Sequence, residues 1–190
     1  MIEYEFGSDN WAEQENARLD ALLQSLRARG GQQNGSTIPT MGQSISTKKI
    51  YLIGSLRNPE VPVIAADLRR EGYQVYDDWF AAGPEADDYW KEYSQARKQT
   101  FPEALQNWAA FHTHANDKQH LDESDTGVLL MPAGKSGHLE LGYLIGQGKR
   151  GYILLDRTND RWDVMYKFAA GVFYTVEDLI QELKGGDTNG

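Results

Sequence analysis

The chain's 190 residues suffice for one ordinary domain with a sizeable core and some length to spare. A formal charge of −9 argues against a protein that binds the backbone of a polynucleotide, which usually shows a basic stripe, while small anionic ligands require only a few local donors. The absence of cysteine excludes disulfides and thiolate metal sites; no apolar run approaches a membrane span, and the N-terminus lacks the basic-then-apolar layout of a secretory signal, so a soluble, cytoplasmic protein is expected.

Trp11–Arg29 reads as a helix, capped by Asp9 or Asn10, with Trp11, Leu19, Leu22, Leu23 and Leu26 on one side. Gly30 and Gly31 end it, and Gly30–Thr47 has the Gly/Ser/Gln composition of a flexible linker. Residues 1–47 are therefore expected to be an appendage to a domain spanning 48–184, with 185–190 as a disordered tail.

Lys48–Ile53 is expected to be a buried first strand. Gly54 follows at once and permits close backbone approach, Ser55 offers a hydroxyl, and Arg57 a planar cationic fork. Asn58 is placed to cap the next helix, with Pro59 at its favoured first position and Val61, Ile64, Ala65 and Leu68 on the buried face. Gly72 breaks that helix, Tyr73–Tyr76 makes a short second strand, and Asp77–Pro84 leaves it as an aromatic and acidic loop. Asp78, Trp79 and Phe80 are the candidates there to meet a planar base, with Trp90 and Tyr93 read as a small core of their own.

Asp87–Gln99 has helical character. Thr100–Glu103 is a capping box that opens a helix expected to continue through Trp108 and Phe111 towards His120. His112, His114, Asp117 and His120 lie along it. Their spacing resembles a metal-ligating face, but His112 and His114 point in different directions and no HExxH pattern supports them, so no metal is expected. Asp117 is more useful as a second carboxylate delivered to the sheet.

Asp125–Met131 is the third strand and Gly137–Gln147 its helix, with Leu139, Tyr143 and Leu144 at helical spacing. Glu140 falls near the start of that helix among apolar and small neighbours, an odd place for a merely solvated acid, and is the candidate nucleophile. The preceding Gly134-Lys135-Ser136-Gly137 reads either as an anion cradle at a helix N-terminus or as a tight turn. Gly151–Leu155, Val164–Ala169, Gly171–Tyr174 and Val176–Leu183 supply a fourth strand, a short helical piece, a fifth strand and a closing helix. Strands alternating with helices imply an open parallel five-stranded sheet covered on both faces, in which the loops after the first and third strands lie side by side.

Asp117, Asp125-x-x-Val128-Leu129-Leu130, Gly137-His138-Leu139-Glu140-Leu141-Gly142 and Gly148-Lys149, in that order, make the chain resemble the nucleoside 2-deoxyribosyltransferase superfamily, including the related nucleotide N-glycosidases. The resemblance runs from about Lys49 to Asp156 and implies a flavodoxin- or Rossmann-like sheet. It implies that Glu140, in an E-x-G motif, attacks the anomeric carbon of a (deoxy)ribose, that Asp117 protonates or orients the base, and that Tyr51 helps hold the nucleophile. Asp125 is read as structural. Gly54-Ser55-Leu56-Arg57 looks most like the nucleotide hydrolase branch, whose corresponding loop lies near the 5′-phosphate. Transferases of the superfamily often carry an acid some six positions before the glutamate; here Gly134 stands there, followed by Lys135 and Ser136, which suit a phosphate better. The expected partners are a small nucleoside or nucleotide and a free base, with no cofactor, no polymeric nucleic acid and no membrane, in a homodimer or higher homo-oligomer. Base exchange, hydrolysis of nucleoside 5′-monophosphates, cleavage of NAD-like dinucleotides and a non-catalytic nucleotide-binding module all remain open on sequence.

Overall fold

In a computed structural model of the chain, residues 48–156 and 162–186 are described. The helix and linker expected over 1–47 lie outside them, as does the tail from 187 onwards.

Five parallel strands form one sheet in the order β2-β1-β3-β4-β5: β1 Lys49–Ile53, β2 Gln74–Tyr76, β3 Thr126–Leu130, β4 Arg150–Leu154 and β5 Gly171–Phe173. The helices are α1 Glu60–Arg70, α2 Ala86–Ala96, α3 Phe101–Ala104, α4 Trp108–Glu123, α5 Lys135–Gly146 and α6 Val176–Gly185, with 3₁₀ turns at Asp78–Ala82 and Val164–Phe168. The doubly wound sheet expected from the alternation is present. None of the described helices is long and apolar enough to cross a membrane.

Strand side chains alternate between two cores. Ile50 and Leu52 of β1 join Val128 and Leu130 of β3 against Val61, Ile64 and Leu68 of α1 and Leu179 and Leu183 of α6. Tyr51 and Ile53 face the other way and join Leu129, Leu121 of α4, and Leu141 and Leu144 of α5. The carboxylates of interest ride on α4 and α5, so this second face carries the site.

Helix α1 starts one residue later than expected, with Pro59 and not Asn58 at the N-cap, and Asn58 just before it still accepts the Glu60 N–H on its Oδ1 at 3.0 Å. The expected continuous helix after Thr100 is a correction. The Thr100–Glu103 capping box forms, with the Thr100 N–H donating to Glu103 Oε2 at 2.7 Å, but its helix α3 ends at Ala104. Asn107 then takes extended backbone (φ −77°, ψ 163°) and caps a new helix by accepting from the Ala110 N–H at 3.0 Å. A second strong capping residue seven positions on restarts the chain in a new direction.

Three glycines let α5 settle close onto the sheet. Gly127 and Gly151 are register partners on β3 and β4, and a Cβ at Gly151 would lie 2.7 Å from Ile145 and 2.8 Å from Leu141. From above, a Cβ at Gly137 would sit 3.0 Å from Leu129 and 3.1 Å from Ile53. Gly137 is therefore buried between helix and sheet, so its place in the loop is also set by packing. Gly151→Ala is expected to lower stability by about 1–3 kcal/mol through overpacking under α5. Urea denaturation checks this, and a variant as stable as the parent would show that α5 can lift without cost.

Candidate active site

Helix α5 begins at Lys135, with Gly134 as its N-cap in extended backbone (φ −79°, ψ −173°), two residues earlier than expected. Glu140 therefore lies in the second turn, not the first. The buried side of α5 is Gly137, Leu141 and Leu144; Leu139 is 75 % exposed and Tyr143 also reaches solvent, which corrects the core face expected from spacing. Glu140 projects beside that buried side and is itself only partly exposed.

Asp117 meets Glu140 from α4. The C-terminus of α4 is tied to the start of β1, where Lys49 Nζ donates to Glu123 Oε2 at 2.6 Å. From there its 16 residues run about 24 Å, against about 17 Å for a five-residue strand, so α4 overshoots the carboxyl edge of the sheet. Asp117 sits part-way along, level with the strands, while Trp108 and Phe111 are exposed on the overshooting half.

Burial pushes the Glu140 carboxyl up to about 7, and the Asp117 charge adds to the effect. Burial also raises Asp117, partly offset by Asn116, His120 and His114. Beneath them Tyr51 is 1 % exposed. Its burial, then Glu140, Asp117 and Tyr76, hold its hydroxyl far above the ordinary tyrosine value, so it stays a neutral donor. The structure thus brings together all three residues singled out for chemistry.

Residues not singled out complete the floor. Tyr76 lies opposite Tyr51 in the strand register, with ring centroids 5.1 Å apart. His120 stacks on Tyr76 at 3.8 Å, and Asn116 Nδ2 donates to the Tyr76 hydroxyl at 2.9 Å. Asn116, Asp117 and His120 are neighbours on α4 at helical spacing, a signal the metal reading obscured. His112 instead packs on Trp108 at 4.3 Å. On the opposite flank of α5, the Gly134 carbonyl accepts from His138 Nδ1 at 2.8 Å, which leaves Nε2 to accept from the Tyr166 hydroxyl at 3.0 Å.

The loops after β1 and β3 lie side by side, as expected at the switch point: Asn58 Nδ2 donates to the Met131 carbonyl at 3.4 Å. Ser55 Oγ accepts from the Arg57 N–H at 3.2 Å, closing the first loop on itself. Arg57 turns outward and pairs with Asp88 of α2 at 2.6 Å, with both side chains more than half exposed. Gly54 sits under Val61 and Trp79, where a Cβ would lie 3.1 and 3.4 Å from them.

Because β2 stops opposite Tyr51, the next carbonyl of β1 has no strand partner on that side; Trp79 Nε1 supplies it, donating to Leu52 O at 2.8 Å. Trp79 is thereby a fixed wall packed against both cores, with Phe80 edge-on to it at 5.9 Å. Asp78 is exposed at the start of this turn. Lys135 and Ser136 are exposed in the first turn of α5, which has no side-chain cap. Asp125 is structural, as expected: its Oδ2 accepts from the Lys49 N–H at 2.8 Å. Trp90 packs edge-on to Phe101, whereas Tyr93 is exposed under the Arg97 guanidinium.

Two grooves, of about 450 Å³ and about 500 Å³, open on the β5 side of the molecule; the first is lined by Leu155, Trp162, Tyr166 and Tyr174, the second by Phe173, Tyr174 and Gln181. Neither is lined by Glu140, Asp117 or Tyr51. The carboxylate pair lies instead in the seam between α4 and α5. Chemically, the seam offers two carboxylates both raised by burial, a neutral phenol beside them, and exposed N–H groups at the start of α5.

Neither a protein-family model nor a curated protein matches the sequence. Among solved structures the chain is similar to that of Clostridium botulinum CMP N-glycosidase, BcmB, at 14 % identity and a TM-score of 0.40, over 72 % of this chain and 99 % of that one.

Proposed function

We propose that the protein cleaves the N-glycosidic bond of nucleosides or nucleotides through a glycosyl ester on Glu140 and passes the sugar to another base. The observation that carries this reading is the carboxylate pair. Glu140 and Asp117 come from different helices, lie within electrostatic reach of each other and of Tyr51, and are both raised by burial, with no Lys or Arg among the described residues acting to lower them. Keeping two such acids buried near each other costs stability, which supports reading them as a working site.

Glu140 in its ionised form attacks C1′. The C1′–N bond breaks, its electron pair goes to the base nitrogen, and that nitrogen takes a proton from Asp117. An incoming base nitrogen, or water, then attacks C1′ on the side the first base left. The ester bond breaks, Glu140 recovers its carboxylate, and Asp117 accepts the proton released, with net retention. Charge at C1′ is positive in both transition states, so a carboxylate in a poorly solvated seam stabilises them beyond its covalent role.

A second reading, hydrolysis of nucleoside 5′-monophosphates, is favoured by the adjoining loops. The loop carrying Ser55 and Arg57 adjoins the one leading to Lys135 and Ser136, the first turn of α5 has no side-chain cap, and a bound phosphate would draw Arg57 away from its outward pair with Asp88. Substrates are a small nucleoside or nucleotide and a free base, and the reading includes a homodimer or larger assembly.

Incubation with a deoxynucleoside and a free base, then with deoxynucleoside monophosphates, separates the two readings. Base exchange without net sugar release marks the transferase, and release of sugar phosphate marks the hydrolase. Binding of nucleotides with no turnover of either class would remove the catalytic reading and leave a nucleotide-binding module.

A further inference from the structure

We propose that Asp122 is a positioning residue, clamping α4 to α5 below the two carboxylates and so fixing how far Asp117 stands from Glu140. The inference rests on the reading of those two as a working pair. Asp122 follows Asp117 by five residues on α4, while Tyr143 and Gln147 follow Glu140 by three and seven on α5. Asp122 Oδ1 accepts from the Tyr143 hydroxyl at 2.6 Å and from Gln147 Nε2 at 2.8 Å. Its Oδ2 accepts from Lys118 Nζ at 2.5 Å, which fixes the carboxylate from its own helix, and the same ammonium lies 5.3 Å from the centre of the Tyr143 ring. Just beyond, Lys149 Nζ donates to the Leu121 and Asp122 carbonyls at 2.9 and 2.6 Å, tying the end of α4 to the turn that leaves α5. Both helices are thus joined on the stretch about one and a half turns from the carboxylates.

A surface ion pair adds little to stability, and Asp122–Lys118 lies within one helix. The contacts that cross between helices are to a phenol and an amide, which set geometry. There is a force for them to oppose. When both are ionised, Asp117 and Glu140 repel across a poorly screened gap, and the repulsion pushes α4 and α5 apart. A link below the pair resists that opening. The groups facing Glu140 are Asp117 of α4 and Tyr51 of β1; those facing Asp117 include Asn116, His114 and His120 of its own helix. Asp122 is not among the groups that shift either carboxylate, so a change at Asp122 reaches Glu140 through spacing rather than through its own charge.

The test is the titration midpoint of Glu140, followed by carbon NMR of labelled carboxyl groups in the full chain, with and without Asp117→Asn. In the parent, Asp117→Asn lowers the Glu140 midpoint. In Asp122→Ala and in Tyr143→Phe backgrounds that lowering shrinks to about half or less, because the partner has already moved away. Asp122→Asn, whose amide oxygen still accepts from Tyr143 and Gln147, keeps it. With whichever substrate turns over, kcat falls about tenfold in the first two variants while KM holds. Tyr143→Phe removes a single hydroxyl and reports even if Asp122→Ala fails to fold. An equal lowering in every background overturns the clamp. A parent midpoint that ignores Asp117→Asn is a different result: it removes the carboxylate pair itself.

Discussion

Glu140→Gln is expected to abolish glycosidic cleavage and, at pH 8, to give a more stable protein than the parent. The first effect follows from the role. Glutamine has the shape but no lone pair nucleophilic enough to displace a base, nor a charge to set against a cation-like C1′, and a loss of about 10³-fold or more in kcat is the usual consequence of removing such a group. The second follows from linkage. The folded carboxyl sits at about 7, against an ordinary 4.5. Below 4.5 both folded and unfolded forms are protonated and the group contributes nothing. Between the two values the folded chain keeps a proton that the unfolded chain has released, so stability falls as pH rises. Above 7 the full cost of holding the charge there, from burial and from Asp117, is present, on the order of 3 kcal/mol. Glutamine carries no such cost, so the advantage of the variant is large at pH 8 and absent near pH 4. Urea midpoints of both proteins at the two pH values measure it. A variant that gains nothing between them would mean that Glu140 is well solvated when charged, and the active-site assignment would go with it.

The parts of this protein written in local signals are legible in its sequence. KKIYLI and DTGVLL are buried strands because both alternate faces must be apolar in a sheet covered on two sides, and the polar turns between helices and strands mark the order of elements. Glu140 and Asp117 stood out as acids in apolar or helical settings, Tyr51 came only from the family resemblance, and the fold places all three within electrostatic reach of one another. Other features depend on which helix faces which. The break at Asn107 competes with a good capping box at Thr100, and both form because α3 and α4 must take different directions. Gly137 reads as loop chemistry, and only the structure shows Leu129 and Ile53 beneath it. Trp79 looks like a free ring until the short β2 leaves a β1 carbonyl for it to cap. Asp122 carries no motif at all; only the approach of α4 to α5 gives it partners in Tyr143 and Gln147.

The largest further effect is expected at Asp117, and it is one of shape as much as size. The proposed chemistry needs one proton on the pair, carried by Asp117 while Glu140 is ionised, even though burial holds the Glu140 carboxyl up to about 7; the two therefore titrate as a unit. Raising the pH beyond the last midpoint removes the acid; lowering it beyond the first blocks the nucleophile. The parent should therefore show a bell-shaped kcat/KM whose alkaline limb reports loss of the pair's last proton, near the value of about 7 to which Glu140 is pushed. Asp117→Asn deletes the proton donor and is expected to cost about 10²–10⁴-fold on a substrate whose base must be protonated to leave. It also removes the charge that helps to hold Glu140 up, so the Glu140 midpoint falls. The profile of the variant then loses its alkaline limb and rises to a plateau at lower pH than the parent's optimum, because an ionised Glu140 is all it still requires. A substrate with a base that leaves without protonation recovers most of the lost rate. If the variant instead keeps the bell and merely loses height, the proton comes from elsewhere and Asp117 only orients the base. Tyr51 does not supply it either, since its hydroxyl is held too far above neutrality to give up a proton in this range.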